Sequence, residues 1–268
     1  MSALDACIES VGVLGPGLPD WPATARVLSG VSIWEPATTV LPPPVSLPSA
    51  ERRRTGAVVR LTLAVGLEAT QRAGIDPSGL PAVFSSSGAD GENCHEICEA
   101  LASAERQLSP TRFHNSVHNA PAGYWGIATG ATAAANSLCA HDASFGAGLL
   151  EALCQVAVER TRVLLIAYDT SYPEPMRTVR PIPDAFGVAL LLSPARAAAS
   201  LPRIELTWST ASADRMDDAA LEQLRGSIPA ARSLPLLALL ARGASGCVRI
   251  DYLDGARIEL KVSHASGP

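Results

Sequence analysis

The residues best suited to chemistry in this sequence are a thiol and two imidazoles in its middle third. Cys139 follows a short run of small and apolar residues, and His114 and His118 precede it in the string FHNSVHNAPAGYW. A cysteine thiolate attacks acyl carbonyls once a neighbouring base takes its proton, and histidine commonly serves as that base. An acyltransferase that uses Cys139 with His114 or His118 is therefore one function that the sequence leaves open.

Metal binding is a second use for such side chains. The four-residue spacing of His114 and His118 predicts one helical face, and the string NCHEIC brings Cys94, His95 and Cys98 close together. No third ligand stands at a suggestive distance from the two histidines, and helical packing at i and i+4 accounts for the two cysteines. The sequence therefore favours structural roles for these residues and predicts no metal and no other cofactor.

Alternating strands and helices surround these residues. Apolar runs and helical periodicity predict two sets of elements: strands over 6–14, 82–87, 162–168 and 186–193, and helices over 49–73, 91–105 and 144–159. A further short strand is predicted in ATAAANSL, just before Cys139. Uninterrupted apolar strands are typical of a sheet that is covered on both faces, so the pattern indicates an α/β fold.

The last seventy residues have a different pattern. They predict a strand at IELTWS, helices near 217–226 and 232–242, and a hairpin of CVRIDY and RIELKVS, because Asp254-Gly255 is a strong turn signal. No linker rich in Gly, Ser or charge separates this region from the rest. We therefore expect residues 196–268 to form a small α+β tail that packs on the same domain as residues 1–195.

Composition excludes several classes of protein. The 268 residues are 47% hydrophobic and carry a net charge of −5, with no basic stripe to neutralise a phosphate backbone, so we expect no nucleic-acid partner. No apolar stretch reaches the length of a membrane span, and the first residues lack the features of a secretory signal. The six cysteines lie mostly in apolar segments, which is typical of reduced, buried thiols. A cytoplasmic protein is expected.

The segment between Ser109 and Asp169 resembles the first half of the β-ketoacyl synthases of the thiolase superfamily. The matching pieces are Asn119, Ala122, Gly123, Ile127 and Gly130, then the helix 144–159, then the strand over 163–167. The run FHNSVHNAPAGYW is similar to the short ketosynthase-like proteins of aryl polyene and xanthomonadin-type pigment synthesis. The resemblance implies a thiolase-like half-fold with a mixed five-stranded sheet covered by helices, and it extends over roughly residues 1–195.

The resemblance also locates the position of the family's nucleophile. Without gaps, the family pattern puts Asp142 where the condensing cysteine stands, at the amino end of a buried helix. A carboxylate cannot hold an acyl thioester. A shift of the loop would bring Cys139 there instead, but it would turn Phe145 and Gly146 inward in place of Leu149 and Leu153. The family's two catalytic histidines lie in a carboxy-terminal half that we do not expect here.

These points predict a chain-length-factor-like subunit without a catalytic residue. Its partner would be a full-length ketosynthase in a heterodimer, which receives acyl groups from an acyl carrier protein, and the subunit would shape the partner's acyl tunnel. A free-standing acyl-binding scaffold is a further alternative. The resemblance implies that the interface and tunnel wall lie in residues 112–127 and 145–153, with these members: His114, Asn115, His118, Asn119, Tyr124, Trp125, Phe145 and Leu149.

Overall fold

The computed structural model describes residues 4–195 and 200–264. Its strands are β1 (Leu4–Leu14), β2 (Ala82–Ser86), β3 (Ala135–Cys139), β4 (Val163–Asp169), β5 (Phe186–Ser193), β6 (Arg203–Ser209), β7 (Gly246–Leu253) and β8 (Ala256–Ser263). Its α-helices are α1 (Trp21–Leu28), α2 (Ser49–Arg52), α3 (Ala57–Ala73), α4 (Gly91–Ala102), α5 (Pro110–His114), α6 (Ala120–Thr129), α7 (Ser144–Glu159), α8 (Met176–Val179), α9 (Ala219–Ser227) and α10 (Leu234–Ala241). Short 3₁₀ turns occupy Pro77–Gly79, His141–Ala143 and Pro229–Ser233.

The strands form one mixed sheet in the order β3-β2-β4-β5-β1-β6-β8-β7. Strand β2 runs parallel to β3 and β4, and the remaining neighbours are antiparallel. The α/β expectation is confirmed, but the prediction of five strands was wrong because the sheet has eight. The first half of β1 pairs with β6, from Leu4 opposite Leu206 to Cys7 opposite Arg203. The three strands after residue 200 thus extend the sheet rather than forming a separate layer.

Helices cover both faces of the sheet. Helices α3 and α6 pack on one face in a core that includes Tyr124, Trp125 and Ile166. Helix α7 packs on the other face, in a core shared with α1, α9, α10 and the strands of the tail. Gly148 lets α7 approach β2 and β4 closely, because a Cβ there would lie 2.7 Å from the Cβ of Ser85 and 2.9 Å from Leu165. Helix α7 therefore packs directly against β2 and β4, and its first residues, 144–146, are buried.

Most predicted elements have the observed bounds within a few residues. The helix expected over 49–73 is divided into α2 and α3 at residues 53–56, where Gly56 takes an extended conformation as the N-cap of α3. Gly74 ends α3 with φ 66°, and the Asp254-Gly255 hairpin joins β7 to β8. Residues 33–44 have no regular structure, as their prolines require. None of the helices in the described ranges is both long and apolar enough to cross a bilayer.

Candidate functional site

A tight turn joins β3 to α7, and we call its residues 139–144 the elbow. Strand β3 ends at Cys139, the 3₁₀ turn His141–Ala143 follows, and α7 begins at Ser144. His141 has φ 51°, a left-handed conformation that is costly for a residue with a Cβ. The strained position of this strand-to-helix turn thus falls on His141, one residue before Asp142. Strained turns of this kind present a side chain at the mouth of a helix.

Hydrogen bonds from β2 hold the elbow in place. The Ser144 hydroxyl accepts a 3.0 Å bond from the backbone N–H of Ala140 and lies 2.9 Å from the carbonyl oxygen of Ser86 and 2.7 Å from that of His141. The Ser85 hydroxyl donates to the carbonyl oxygen of Ser144. Both serines are buried. The turn is therefore fixed by side chains on two neighbouring elements rather than by its own backbone alone.

Two arginines bind the Asp142 carboxylate. Nη2 of Arg180 lies 2.6 Å from Oδ1, and Nη2 of Arg232 lies 3.1 Å from Oδ2. Nη1 of Arg180 lies 2.6 Å from Nε2 of His141, and because a guanidinium can only donate, that imidazole nitrogen accepts. Burial raises the pKa of Asp142, but the bond from Arg180 and the charge of Arg232 outweigh it, so its pKa lies below the ordinary 3.8. Asp142 is a fixed anion.

Cys139 lies beside His118. Its sulfur is 3.5 Å from Nε2 of His118 and 3.8 Å from the hydroxyl oxygen of Ser86. Cys139 is exposed, so the expectation of a buried thiol was wrong here. Partial desolvation of its sulfur still raises the pKa of the thiol above the ordinary 9.0, against the hydrogen bonds from Ser86 and Ala89, which lower it. The structure thus brings together the cysteine and histidine of the acyltransferase alternative, but with a thiol that stays protonated near neutral pH.

The interface and tunnel residues predicted from the sequence divide into two groups. His114, Asn115, His118 and Asn119 lie at or near the surface, around the loop between α5 and α6. The second group is buried within the chain, at 2% exposure or less, and offers no surface to a partner: Tyr124, Trp125, Phe145 and Leu149.

Local contacts explain the positions of the first group. The expectation that His114 and His118 share one helical face was wrong, because α5 ends at His114 and His118 lies before α6. Asn115 accepts a 3.1 Å bond from the Tyr124 hydroxyl and donates a 2.7 Å bond to the carbonyl oxygen of Arg54. These bonds make Asn115 a link between the loop and the α2–α3 turn.

The packing of α7 does not discriminate between Asp142 and Cys139 as the position of the family's nucleophile. Phe145, Gly146, Leu149 and Leu153 are all buried, so the argument that Cys139 would reverse the helix does not discriminate. The assignment of Asp142 to the nucleophile position stays a prediction. Asp142 carries no sulfur, and Cys139, the alternative, lies before the 3₁₀ turn that leads into α7.

Three charged residues of this region were missed by sequence reasoning. Arg180 belongs to the proline-rich loop between β4 and β5, which contains no recognised motif, and Arg232 lies 90 residues from its partner Asp142. Asp169 ends β4, is 3% exposed, and accepts bonds from two backbone N–H groups and a hydroxyl. A carboxylate at the carboxyl end of an apolar strand was the one signal that could have identified Asp169 in advance.

Metal ligands do not cluster in the described parts of the chain, where no group of three His, Cys, Asp or Glu side chains could hold an ion. Cys94, His95 and Cys98 lie on α4, and both thiols are exposed. His95 lies 3.3 Å from Glu99, one helical turn away. These contacts are those of a surface helix.

Comparison with known proteins gives both a family and a fold. The profile of the family described as β-ketoacyl synthase, N-terminal domain, matches residues 29–251. A search of curated proteins gives no match. The match confirms the resemblance that the elbow and the strings around it predicted.

Solved structures share the fold over almost the whole chain. One is a ketosynthase (ApeO) in complex with its chain length factor (ApeC) from Xenorhabdus doucetiae, with a TM-score of 0.72, 22% identity, and coverage of 96% of this chain and 98% of that chain. Another is the ishigamide ketosynthase/chain length factor, with a TM-score of 0.70, 15% identity, and coverage of 97% and 99%. A β-ketoacyl synthase from Burkholderia phymatum aligns less well, with a TM-score of 0.57, 12% identity, and coverage of 91% and 71%.

Proposed function

This chain belongs to the β-ketoacyl synthase N-terminal domain family, and we propose that it is a non-catalytic, chain-length-factor-like subunit that pairs with a complete ketosynthase. The observation that carries the proposal is the chemistry of the elbow. Condensation needs a thiolate at the amino end of α7, and the 3₁₀ turn His141–Ala143 that leads into this helix contains no cysteine. Asp142 is an anion bound by two guanidiniums, so it neither attacks a thioester nor receives an acyl group.

We propose the partner from the similar structures, from an unpaired strand edge and from exposed apolar side chains near it. Two of those structures are described as a ketosynthase with its chain length factor, and each aligns with nearly all of this chain. Acyl groups would reach the complex through an acyl carrier protein that docks with the ketosynthase. In that arrangement this subunit would contribute to the wall of the partner's acyl tunnel.

Strand β3 is the edge through which we propose the pairing. Within the described ranges it has a neighbour on one side only, β2, and Ala135 and Asn136 are exposed. An unpaired strand edge readily adds a strand from another chain. Large apolar side chains are also exposed in the part of the chain that leads to this strand: Leu101 (49%), Phe113 (68%), Val117 (53%) and Ile127 (49%). Phe113, Val117 and Ile127 line one surface hollow, and exposed apolar side chains that lie together are typical of an interface.

Coexpression with a complete ketosynthase tests the pairing. We expect a 1:1 complex by size-exclusion chromatography with light scattering. Val117→Asp should weaken it, because the new carboxylate would be buried against an apolar surface. Val158→Asp is the matched control, because Val158 is also exposed but lies near the carboxyl end of α7, outside the proposed interface. A chain that stays monomeric beside the ketosynthase, or a complex insensitive to Val117→Asp, would argue against this interface.

Mass spectrometry tests the absence of catalysis. After incubation of the complex with acyl-loaded carrier protein, we expect an acyl mass increment on the ketosynthase and none on this chain. An increment here would make this subunit an enzyme.

An acyltransferase that uses Cys139 is the second candidate, because His118 lies within 3.5 Å of its sulfur. Iodoacetamide at neutral pH separates the two functions. The raised pKa predicts slow alkylation of Cys139 that does not change in a His118→Gln variant. Fast alkylation that His118→Gln slows would favour the acyltransferase.

A further inference from the structure

Arg180 and Arg232 reach Asp142 from two separate elements. Arg180 follows α8 in the loop between β4 and β5, and Arg232 lies in the 3₁₀ turn Pro229–Ser233. Their side chains are 22% and 18% exposed, less than the 42% of Asp142. The two guanidiniums bind different oxygens of one carboxylate, at 2.6 and 3.1 Å. Arginines converging in this way make a site suited to a planar anion.

The surroundings of Asp142 leave Arg180 dependent on this anion. Its remaining polar contact is with the imidazole of His141, and its Nε is buried without a hydrogen-bond partner. Arg232 has a second, longer contact of 3.8 Å with Asp251. Without a carboxylate between them, the two partly buried cations would repel each other. The amino end of α7 adds a partial positive charge in the same place.

We infer that Arg180 and Arg232 form a carboxylate-binding site at the mouth of α7, and that Asp142 is its tethered occupant. The chain thereby closes its own elbow, because the carboxylate holds the β4–β5 loop and the Pro229–Ser233 turn against it. When the Asp142 side chain is removed, the site accepts a small carboxylate from solution. No covalent step is involved, since the anion enters by ion pairing alone.

Rescue by small anions tests this inference on the full chain. The Asp142→Ala variant is heated at pH 7 in increasing sodium formate or acetate, with sodium chloride at matched ionic strength as the reference. We expect a lower Tm than wild type in chloride. In carboxylate, Tm should rise with the logarithm of the anion concentration and reach a gain of about 3 °C at ten times the dissociation constant. Wild-type protein should show no such rise, because its site is occupied.

Two controls isolate the site. The triple variant Asp142→Ala/Arg180→Gln/Arg232→Gln keeps the space but loses the cations, so carboxylate should not stabilise it. Asp5→Ala removes a surface ion pair with Arg203 and should respond to carboxylate and chloride alike. Equal Tm values for Asp142→Ala in formate and chloride, or an equal rise in the triple variant, would overturn the inference. If Asp142→Ala does not fold in chloride, refolding yields in the two salts are compared: a higher yield in formate supports the site, and equal yields refute it.

Discussion

The buried carboxyl group of Asp169 allows a direct test of how burial affects an ionisable side chain beneath the elbow. It ends β4, and its carboxylate accepts bonds from the N–H groups of Ser87 and Ala230, both at 2.8 Å, and from the Ser87 hydroxyl. It therefore joins the loop after β2 to the turn that carries Arg232. Burial raises its pKa from 3.8 to about 6, although all three hydrogen bonds act to lower it. The folded protein thus binds this proton more tightly than the unfolded chain does.

The raised pKa sets both the sign and the size of a pH effect. The stabilising contribution of protonated Asp169 is complete below pH 3.8 and is lost as pH rises through about 6. A shift of roughly two units corresponds to about 3 kcal/mol of unfolding free energy. Asp169→Asn has no proton to lose, but its amide would face the Ala230 N–H, donor against donor, at a cost of about 1–3 kcal/mol. Asp169→Asn should therefore be least stable relative to wild type near pH 4, and the difference in unfolding free energy between the two proteins should change by about 2 kcal/mol between pH 4 and pH 7.

Urea unfolding followed by circular dichroism, at steps from pH 4 to pH 7, measures this gap for wild type and Asp169→Asn. Asp76→Asn is the matched control, because Asp76 is exposed and the hydrogen bonds from Ser78 lower its pKa, so its gap should be flat over this range. A free-energy difference between wild type and Asp169→Asn that does not vary with pH would refute the reasoning.

Two further substitutions test packing and hydrogen bonding at α7 by the same unfolding measurement. Gly148→Ala should destabilise the protein by about 1–3 kcal/mol, because the new Cβ would collide with Ser85 and Leu165. Gly226→Ala is the control: it lies in open space, so the substitution should stabilise α9 by about 0.5–1 kcal/mol. Equal effects of the two substitutions would contradict the close contact at Gly148. Ser144→Ala should lower the unfolding free energy by about 1–3 kcal/mol, because it leaves the buried polar groups around the elbow without a hydrogen-bond partner. Ser103→Ala, at an exposed helix end, should lower it less. If Ser144→Ala has no effect on stability, the Ser144 hydroxyl does not hold the elbow in place.

The elements that sequence reasoning predicted best are those with local signals. Helix α7 and strand β5 have the expected bounds, 144–159 and 186–193, because each is an apolar segment with polar or turn residues at its ends. The break at 53–56 was missed, because RRRTG contains no apolar residue whose periodicity could be interrupted and only Gly56 marks a new start. The number of strands was wrong because pairing such as Leu4 with Leu206 spans most of the chain and leaves no local trace.

The residues of the site also divide into those with a local sequence signal and those that only long-range packing brings together. The family resemblance directed attention to the segment before helix 144–159, because the family's nucleophile has a fixed relation to the helix that follows it, and the structure has a tight turn there. It could not supply Arg232, which comes from a region where no motif was recognised. It also could not predict that Tyr124, Trp125, Phe145 and Leu149 would be buried by the chain itself, because burial depends on the tail that packs against α7 and on α3 packing against α6.

The elbow keeps the electrostatic features that activate a nucleophile, but they act on a different group. A helix amino end and neighbouring cations lower the pKa of a thiol and so make it reactive. Here Arg180 and Arg232 stabilise the carboxylate of Asp142, which has no acyl chemistry to offer, while the nearby thiol of Cys139 has a pKa raised by burial. An anion at this position gives the positive charge a structural use, because the Asp142 carboxylate holds the β4–β5 loop and the Pro229–Ser233 turn against the elbow.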